Sequence, residues 1–240
     1  MKGEDVMELD FAFYSDEGGR ENNEDAYIAK KMEQEYLFVV ADGLGGHDDG
    51  EMASQCAVNS IKNYIAANGG KDVASAIKSA NAAILEMQLK HSSKMKTTVA
   101  LAYVSDENVT VAHVGDSRVY AFKQGKVVHQ TVDHSASQLA VTMGDIRPDE
   151  IRNHEDRNVL LRALGVSDNV KVDVSVISRD ECDALLLCSD GFWEYVLEDE
   201  MEKALSESQA ADKWLYKMKS IQMSRAPKRC DNNTAIAVIL

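Results

Sequence analysis

The sequence predicts an α+β layered fold in which two largely antiparallel β-sheets are covered by helices. Three observations lead there. Strand-like segments stand near both ends of the chain, at 9–15 and 235–240. Two segments of helical periodicity interrupt the strands early, and two more come late. Several strand candidates are continuous apolar runs with no solvated face, so both of their sides must be covered.

Leu9 to Ser15 (LDFAFYS) alternates well enough for a strand, Ala26 to Lys30 starts a second, and Tyr36 to Ala41 is a continuous apolar run. After a glycine-rich turn the period changes. Ala53, Cys56, Ala57, Ile61, Tyr64 and Ile65 share one helical face, and Asn68-Gly69-Gly70 ends that helix. Val73, Ala76, Ile77, Ala80, Ile84 and Met87 mark a second helix, antiparallel to the first because the link is short. Thr98 to Val104, Val109 to Val114, Arg118 to Phe122 and Val127 to Gln130 read as consecutive strands. The short connections SDEN, GDS and KQG predict antiparallel pairing among them. From His134 to Arg157 the pattern is polar and irregular with one helical patch. Ala184 to Ser189 is another buried strand, helices follow around Glu198 to Ser206 and Gln209 to Met223, and Ala235 to Leu240 closes the chain as a core strand. No repeat, low-complexity tract or linker divides the 240 residues, so a single domain over 1–240 is expected.

Composition narrows the function classes. The net charge of -14 argues against a non-specific grip on nucleic acid or anionic lipid, which needs positive surface. No stretch approaches the ~20 apolar residues of a membrane span. The beginning MKGEDVMELD is acidic where a secretory signal is basic and then apolar, so a cytoplasmic protein is expected. Cys56, Cys182, Cys188 and Cys230 form no C-x-x-C pair and are read as free thiols.

The chemistry lies at strand ends. An Asp terminates VVADG (Asp42) and LLLCSDG (Asp190), another enters the last strand in CDNNTAIAV (Asp231), and a fourth follows VAHVG (Asp116). Any one of them is explained as a turn or strand terminator. Together they would crowd anions on a rigid frame, which is prohibitive unless cations neutralise them. Magnesium and manganese suit such oxygen donors. Two such ions about 3.5 to 4 Å apart can activate a water for in-line attack at phosphorus. In GGRENNED, Arg20 can clamp a phosphate while Glu24 and Asp25 serve the metals or their waters.

The segments GRENNED, VVADGLGGHDDGEMAS, AHVGDSRVY, TVDHS, RNVLLRALG, LLLCSDGFWE and DNNTAIAV resemble, in order and spacing, the metal-dependent Ser/Thr protein phosphatases of the type 2C (PPM) family, in its compact bacterial form. The resemblance runs from about residue 9 to residue 240. It implies a sandwich of two antiparallel sheets flanked by antiparallel helix pairs, with two or three Mn2+ or Mg2+ ions at one end. Asp42 would bridge two of them, Asp190 and Asp231 would complete the first site, and the Gly43 carbonyl would bind the second. Glu24 and Asp25 would act nearby, partly through waters, and Arg20 would bind the substrate phosphate. Asp116 with Asp190 resembles the pair that holds a third, weaker metal. The segment 134–157 falls where the family has a mobile flap, expected to help select phosphoprotein substrates.

The chain departs from many eukaryotic relatives at Leu44, where they carry a candidate general-acid histidine. His47 is not given that role, and the acid stays unassigned. Lys96 replaces a usual glycine, read as a local backbone difference. Asp133-His134-Ser135 is expected to be a turn rather than a catalytic triad. Trp193, Trp214, Met201, Met218 and Met223 are expected to pack. The expected activity is hydrolysis of phosphoserine and phosphothreonine in proteins by a monomer opposed by a Ser/Thr kinase. An inactive phosphatase-like binding module, a small-molecule phosphatase and a plain cation-binding protein remain as alternatives.

Overall fold

The computed structural model describes residues 8–45 and 48–240. Strands β1 (Asp10–Asp16), β2 (Asp25–Met32) and β3 (Glu35–Leu44) lead into helices α1 (Asp48–Asn68) and α2 (Val73–His91). Strands β4 (Lys96–Thr97), β5 (Val99–Val104), β6 (Asn108–Val114), β7 (Arg118–Lys123) and β8 (Lys126–Gln130) follow, then α3 (Ala136–Met143). The chain continues through β9 (Asp173–Ser178), β10 (Ala184–Cys188), α4 (Asp190–Trp193), α5 (Glu198–Ser206), α6 (Ala211–Arg225) and β11 (Asn233–Ile239).

The strands form two sheets. One has the order β1-β11-β10-β7-β8 and the other β2-β3-β5-β6-β9, with the short β4 beside the end of β3; every pairing is antiparallel. Side-chain alternation along β3 shows why its run is apolar throughout. Leu37, Val39 and Ala41 face the helix pair α1/α2 with Ile61, Ile77 and Ile84, while Tyr36, Phe38 and Val40 face the opposite sheet with Leu185, Leu187 and Ile236. On the outside of the other sheet, Tyr120, Phe122 and Leu186 pack on α5 and α6 through Met201, Trp214 and Met218. The architecture is therefore α+β, two antiparallel sheets between two helical layers.

Several expectations need correction. The connection GDS between β6 and β7 is no hairpin: β6 belongs to one sheet and β7 to the other, so the chain crosses the sandwich there. The segment VKVDVSVIS contains an edge strand, β9, that was not foreseen although its apolar and polar residues alternate; in the structure Val174, Ser175 and Val176 are exposed. Met223, expected to pack, is 67% exposed on α6. A short helix, α4, also follows β10 directly, where only a strand end was expected. The irregular segment holds α3 and a 3-10 turn, Pro148–Asn153, and its base is tied down by the bridges Ser135↔Leu160 and Thr97↔Leu164. Asp133 to Ser135 form no turn; they run extended into α3, which Ser135 caps by accepting from Gln138 N–H. All four cysteines are free.

Candidate metal centre

One end of the sandwich gathers the strand termini that carry the acidic residues. Strand β3 runs on past its apolar stretch, and Asp42 lies opposite Asp25 of β2 in the ladder. The Asp42 backbone is held on both polar groups. Its N–H donates to Thr98 Oγ1 at 3.0 Å, and its carbonyl accepts from Thr98 N–H at 2.9 Å and from the Thr97 hydroxyl at 2.8 Å. Thr98 Oγ1 lies 2.6 Å from Ser117 Oγ, which ties this strand end to the crossing between the sheets. Gly43 and Gly50 are glycines because three chain segments meet there. A Cβ on Gly43 would stand 2.1 Å from the Gly50 carbonyl oxygen, and one on Gly50 would stand 2.1 Å from Glu24 Oε2.

From the other sheet, neighbouring strands β10 and β11 deliver Asp190 and Asp231. Asp190 opens α4 just after β10, and Asp231 lies just before β11. Ser189 links the two sheets: its hydroxyl donates to Asp25 Oδ2 at 2.7 Å and accepts from Thr234 N–H at 3.0 Å. Asn232 bolts down the loop that carries Arg20 and Glu24. Its amide donates to the carbonyls of Glu17 and Asn22, both at 2.9 Å, and its Oδ1 accepts from Glu24 N–H at 2.8 Å. Arg20 NH2 donates to Asp231 Oδ2 at 2.7 Å, an ion pair exposed at the mouth of the site.

These groups border an open cleft of about 510 Å³ lined by Arg20, Glu24, Asp42, Asp116, Asp190 and Asp231. Gly43 and Leu44 also line it, and Asn158 and Leu160 approach from the far side. Asp25 does not reach the cleft; it is buried beneath Asp42.

The carboxylates disfavour one another's charge. Burial, followed by Asp25, Asp190, Asp116 and Asp231, pushes Asp42 well above the usual carboxylate range. Burial and then Asp116, Glu194, Asp231 and Asp25 do the same to Asp190. Asp25 is raised to about 7, mainly by burial. Asp116 is also raised to about 7, by burial and then Asp133. Asp25 Oδ1 and Asp190 Oδ1 are buried and accept no hydrogen bond. Four Asp carboxylates lining one cleft, with the buried Asp190 Oδ1 left without a hydrogen-bond donor, fit a hard divalent cation. Every residue expected at the site is thus found at this end of the sandwich, Asp25 as a buried support. His47 lies outside the described residues.

Sequence reading missed the supports Thr97, Thr98, Ser117, Ser189 and Asn232. The only signal was their adjacency to the acidic residues. One further group of potential metal donors occurs among the described residues: His113, His134 and Asp173, with donor atoms within 4.8 Å of one another.

Comparison with known proteins points to one family. The family described as protein phosphatase 2C matches residues 15–232. The chain is 34% identical over 227 residues to the serine/threonine phosphatase stp of Listeria innocua, covering 87% of this chain and 89% of that one. It superposes on the serine/threonine phosphatase Stp1 of Staphylococcus aureus with a TM-score of 0.88 at 28% identity, covering 98% and 96% of the two chains. A structure of the PstP catalytic domain in complex with two manganese ions gives a TM-score of 0.82 at 27% identity, covering 96% and 97%.

Proposed function

Because this chain belongs to the protein phosphatase 2C family, we propose that the carboxylate cluster is its cation site and that the cleft takes phosphoserine and phosphothreonine of protein substrates. The chain is a metal-dependent protein-serine/threonine phosphatase. Asp42, faced by four other Asp residues, would be shared by two cations; Asp190 and Asp231 would hold one of them, and the Gly43 carbonyl, with Glu24 beside it, the other. Asp116, a neighbour of Asp190, would with it hold a third and weaker ion. Mn2+ or Mg2+ bound there supplies Lewis acidity, lowering the pKa of water and drawing charge from the phosphoryl oxygens.

The chain's own residues do the rest. Asp25 is buried under Asp42 and orients it through the β2/β3 ladder. Arg20 is the one cation lining the cleft among the described residues, and its forked donors match phosphate oxygens. It is paired with Asp231, so taking a phosphate means turning away from that carboxylate. No histidine lines the cleft among the described residues, and the group that protonates the leaving serine or threonine oxygen stays unassigned. Asn158 and Leu160, which follow the flap segment directly, line the cleft, and this nearness supports a role for the flap in choosing among phosphoproteins. A cytoplasmic monomer opposed by a Ser/Thr kinase completes the proposal; no helix among the described residues is long and apolar enough to cross a membrane.

The observation that carries this reading is the gathering of Asp42, Asp116, Asp190 and Asp231 beside Arg20 in one cleft at one end of the sandwich. The test is release of phosphate from a phosphothreonine peptide with Mn2+, with Mg2+ and with excess chelator. Release that needs metal and stops with chelator supports it. A folded chain that releases no phosphate with either metal overturns it in favour of a binding module.

A further inference from the structure

Asp116 is held differently from the other carboxylates. Asp42 lies in a ladder with strand neighbours, whereas Asp116 sits in the crossing between the sheets, after Gly115 at φ +107°. Two ring side chains from distant segments take the place of strand partners. Trp193 Nε1–H donates to the Asp116 carbonyl at 2.9 Å. His134 grips Gly115 twice, its Nδ1 accepting from Gly115 N–H at 3.1 Å and its own N–H donating to the Gly115 carbonyl at 2.9 Å. Both rings are themselves locked. The Arg118 guanidinium carbon lies 3.5 Å from the centre of the Trp193 ring, and His134 Nε2 reaches Asp173 Oδ2 at 3.1 Å.

That last contact decides what the His113, His134 and Asp173 group does. Gly115 N–H occupies the His134 Nδ1 lone pair, so the ring proton is on Nε2 and points at Asp173. Arg162 NH1 lies 3.1 Å from both His134 Nε2 and Asp173 Oδ1, so this group already contains a cation, and it holds the His134 ring in place.

We propose that Trp193 and His134 are positioning residues that fix the Gly115–Asp116 backbone and so aim the Asp116 carboxylate at the third cation. The proposal rests on the reading of Asp116 as a ligand of that ion.

The test is Mn2+ binding to the whole chain by titration calorimetry, beside thermal unfolding in chelator. Trp193→Phe keeps a ring against Arg118 and deletes the N–H. The expected result is a loss of about fivefold in affinity at the weakest site, with the tighter sites and the metal-free Tm unchanged. Asp116→Asn should abolish the weakest site. If Asp116→Asn binds like wild type, the ligand reading fails and the proposal with it. If Asp116→Asn loses the ion but Trp193→Phe keeps full affinity, positioning alone fails. A uniform loss at every site with a lowered Tm makes Trp193 a packing residue and also overturns it. Benzothienylalanine at position 193 keeps the ring volume with sulfur in place of N–H, and the same readout decides with it should the Phe variant not fold. At His134 the Asn variant, whose Oδ1 can accept from Gly115 N–H, should retain weak-site affinity that His134→Ala loses; equal binding by the two overturns that half.

Discussion

Replacing Arg118 with Met tests how the crossing between the sheets is stabilised. Arg118 meets Asp133 with both arms of its fork, Nε to Oδ1 at 2.8 Å and NH2 to Oδ2 at 2.7 Å, and the two side chains are 3% and 1% exposed. Its NH1 donates to Tyr120 OH at 2.9 Å. Met keeps much of the stem's volume but leaves Asp133 as a buried anion without its partner, which costs about 3 to 5 kcal/mol. In a chain of this size each kcal/mol moves Tm by about 2 to 4 °C, so a fall on the order of 10 °C is expected. Asp133→Leu strands the opposite charge and should cost a similar amount. The double variant removes both charges with their desolvation penalty and should recover most of the loss, a favourable coupling of about 2 kcal/mol or more. Thermal and urea unfolding in chelator measure all three. The exposed pair Arg147–Asp149 is the control, where loss of either charge should leave Tm unchanged. Single variants within about 1 kcal/mol of wild type, or a double variant as unstable as the sum of the singles, would refute the reasoning.

Three further predictions concern the cleft. Asp42→Ala and Asp190→Ala should each lower kcat on a phosphothreonine peptide by at least about a thousandfold while circular dichroism stays native; near-normal turnover in either sinks the assignment. Arg20→Ala should raise KM for the phosphopeptide about tenfold or more with a smaller effect on kcat, and an unchanged KM would count against its phosphate role. In chelator, Tm should fall as pH rises from about 5.5 to 7.5. Asp25 and Asp116, raised to about 7 in the folded chain, keep protons there that the unfolded chain has already released, so each rise in pH favours unfolding. Mn2+ should reverse that fall, and the slope should be shallower in Asp116→Asn; because His113, His129 and His134, lowered by burial, act in the opposite sense in both proteins, it is an unchanged slope in Asp116→Asn that contradicts the placement of that carboxylate.

What was legible in the sequence was legible for physical reasons. Continuous apolar runs such as Tyr36 to Ala41 have to be covered on both sides, and the structure covers β3 with helices on one face and a sheet on the other. The helical faces of α1 and α2 could be read because an amphipathic helix has a single period. The crossing at Gly115 was not legible, since a three-residue link fits a hairpin and a jump between sheets equally well. Strand β9 was legible but not read: VKVDVSV alternates apolar and polar residues as a strand does. At the site, the acidic residues could be named because charge at the end of a core strand is anomalous. Thr97, Thr98 and Asn232 act through hydrogen bonds to distant backbone, and nothing in a polar side chain's identity says which backbone it will meet. Trp193 was rightly expected to be buried, but burial alone did not reveal that its N–H serves Asp116.

The origin of each carboxylate explains why this site should couple metal to stability. Asp42 and its support Asp25 come from one sheet, while Asp190 and Asp231 come from strand ends of the other, and Asp116 lies on the crossing between them. With no cation, the mutual repulsion that raises Asp42 and Asp190 acts across the join between the sheets and tends to part them. A cation held by residues of both sheets reverses the sign of that interaction and becomes a cross-link. The same arrangement favours a cleft over a buried cage: the sheet ends diverge enough to admit a phosphoryl group, yet their separate backbones are pinned by Thr98, Ser189 and Asn232. A site assembled this way depends on metal for most of its neutralisation, because Arg20, the one cation among its described lining residues, is paired with Asp231 and cannot also match the charge of Asp42, Asp116 and Asp190.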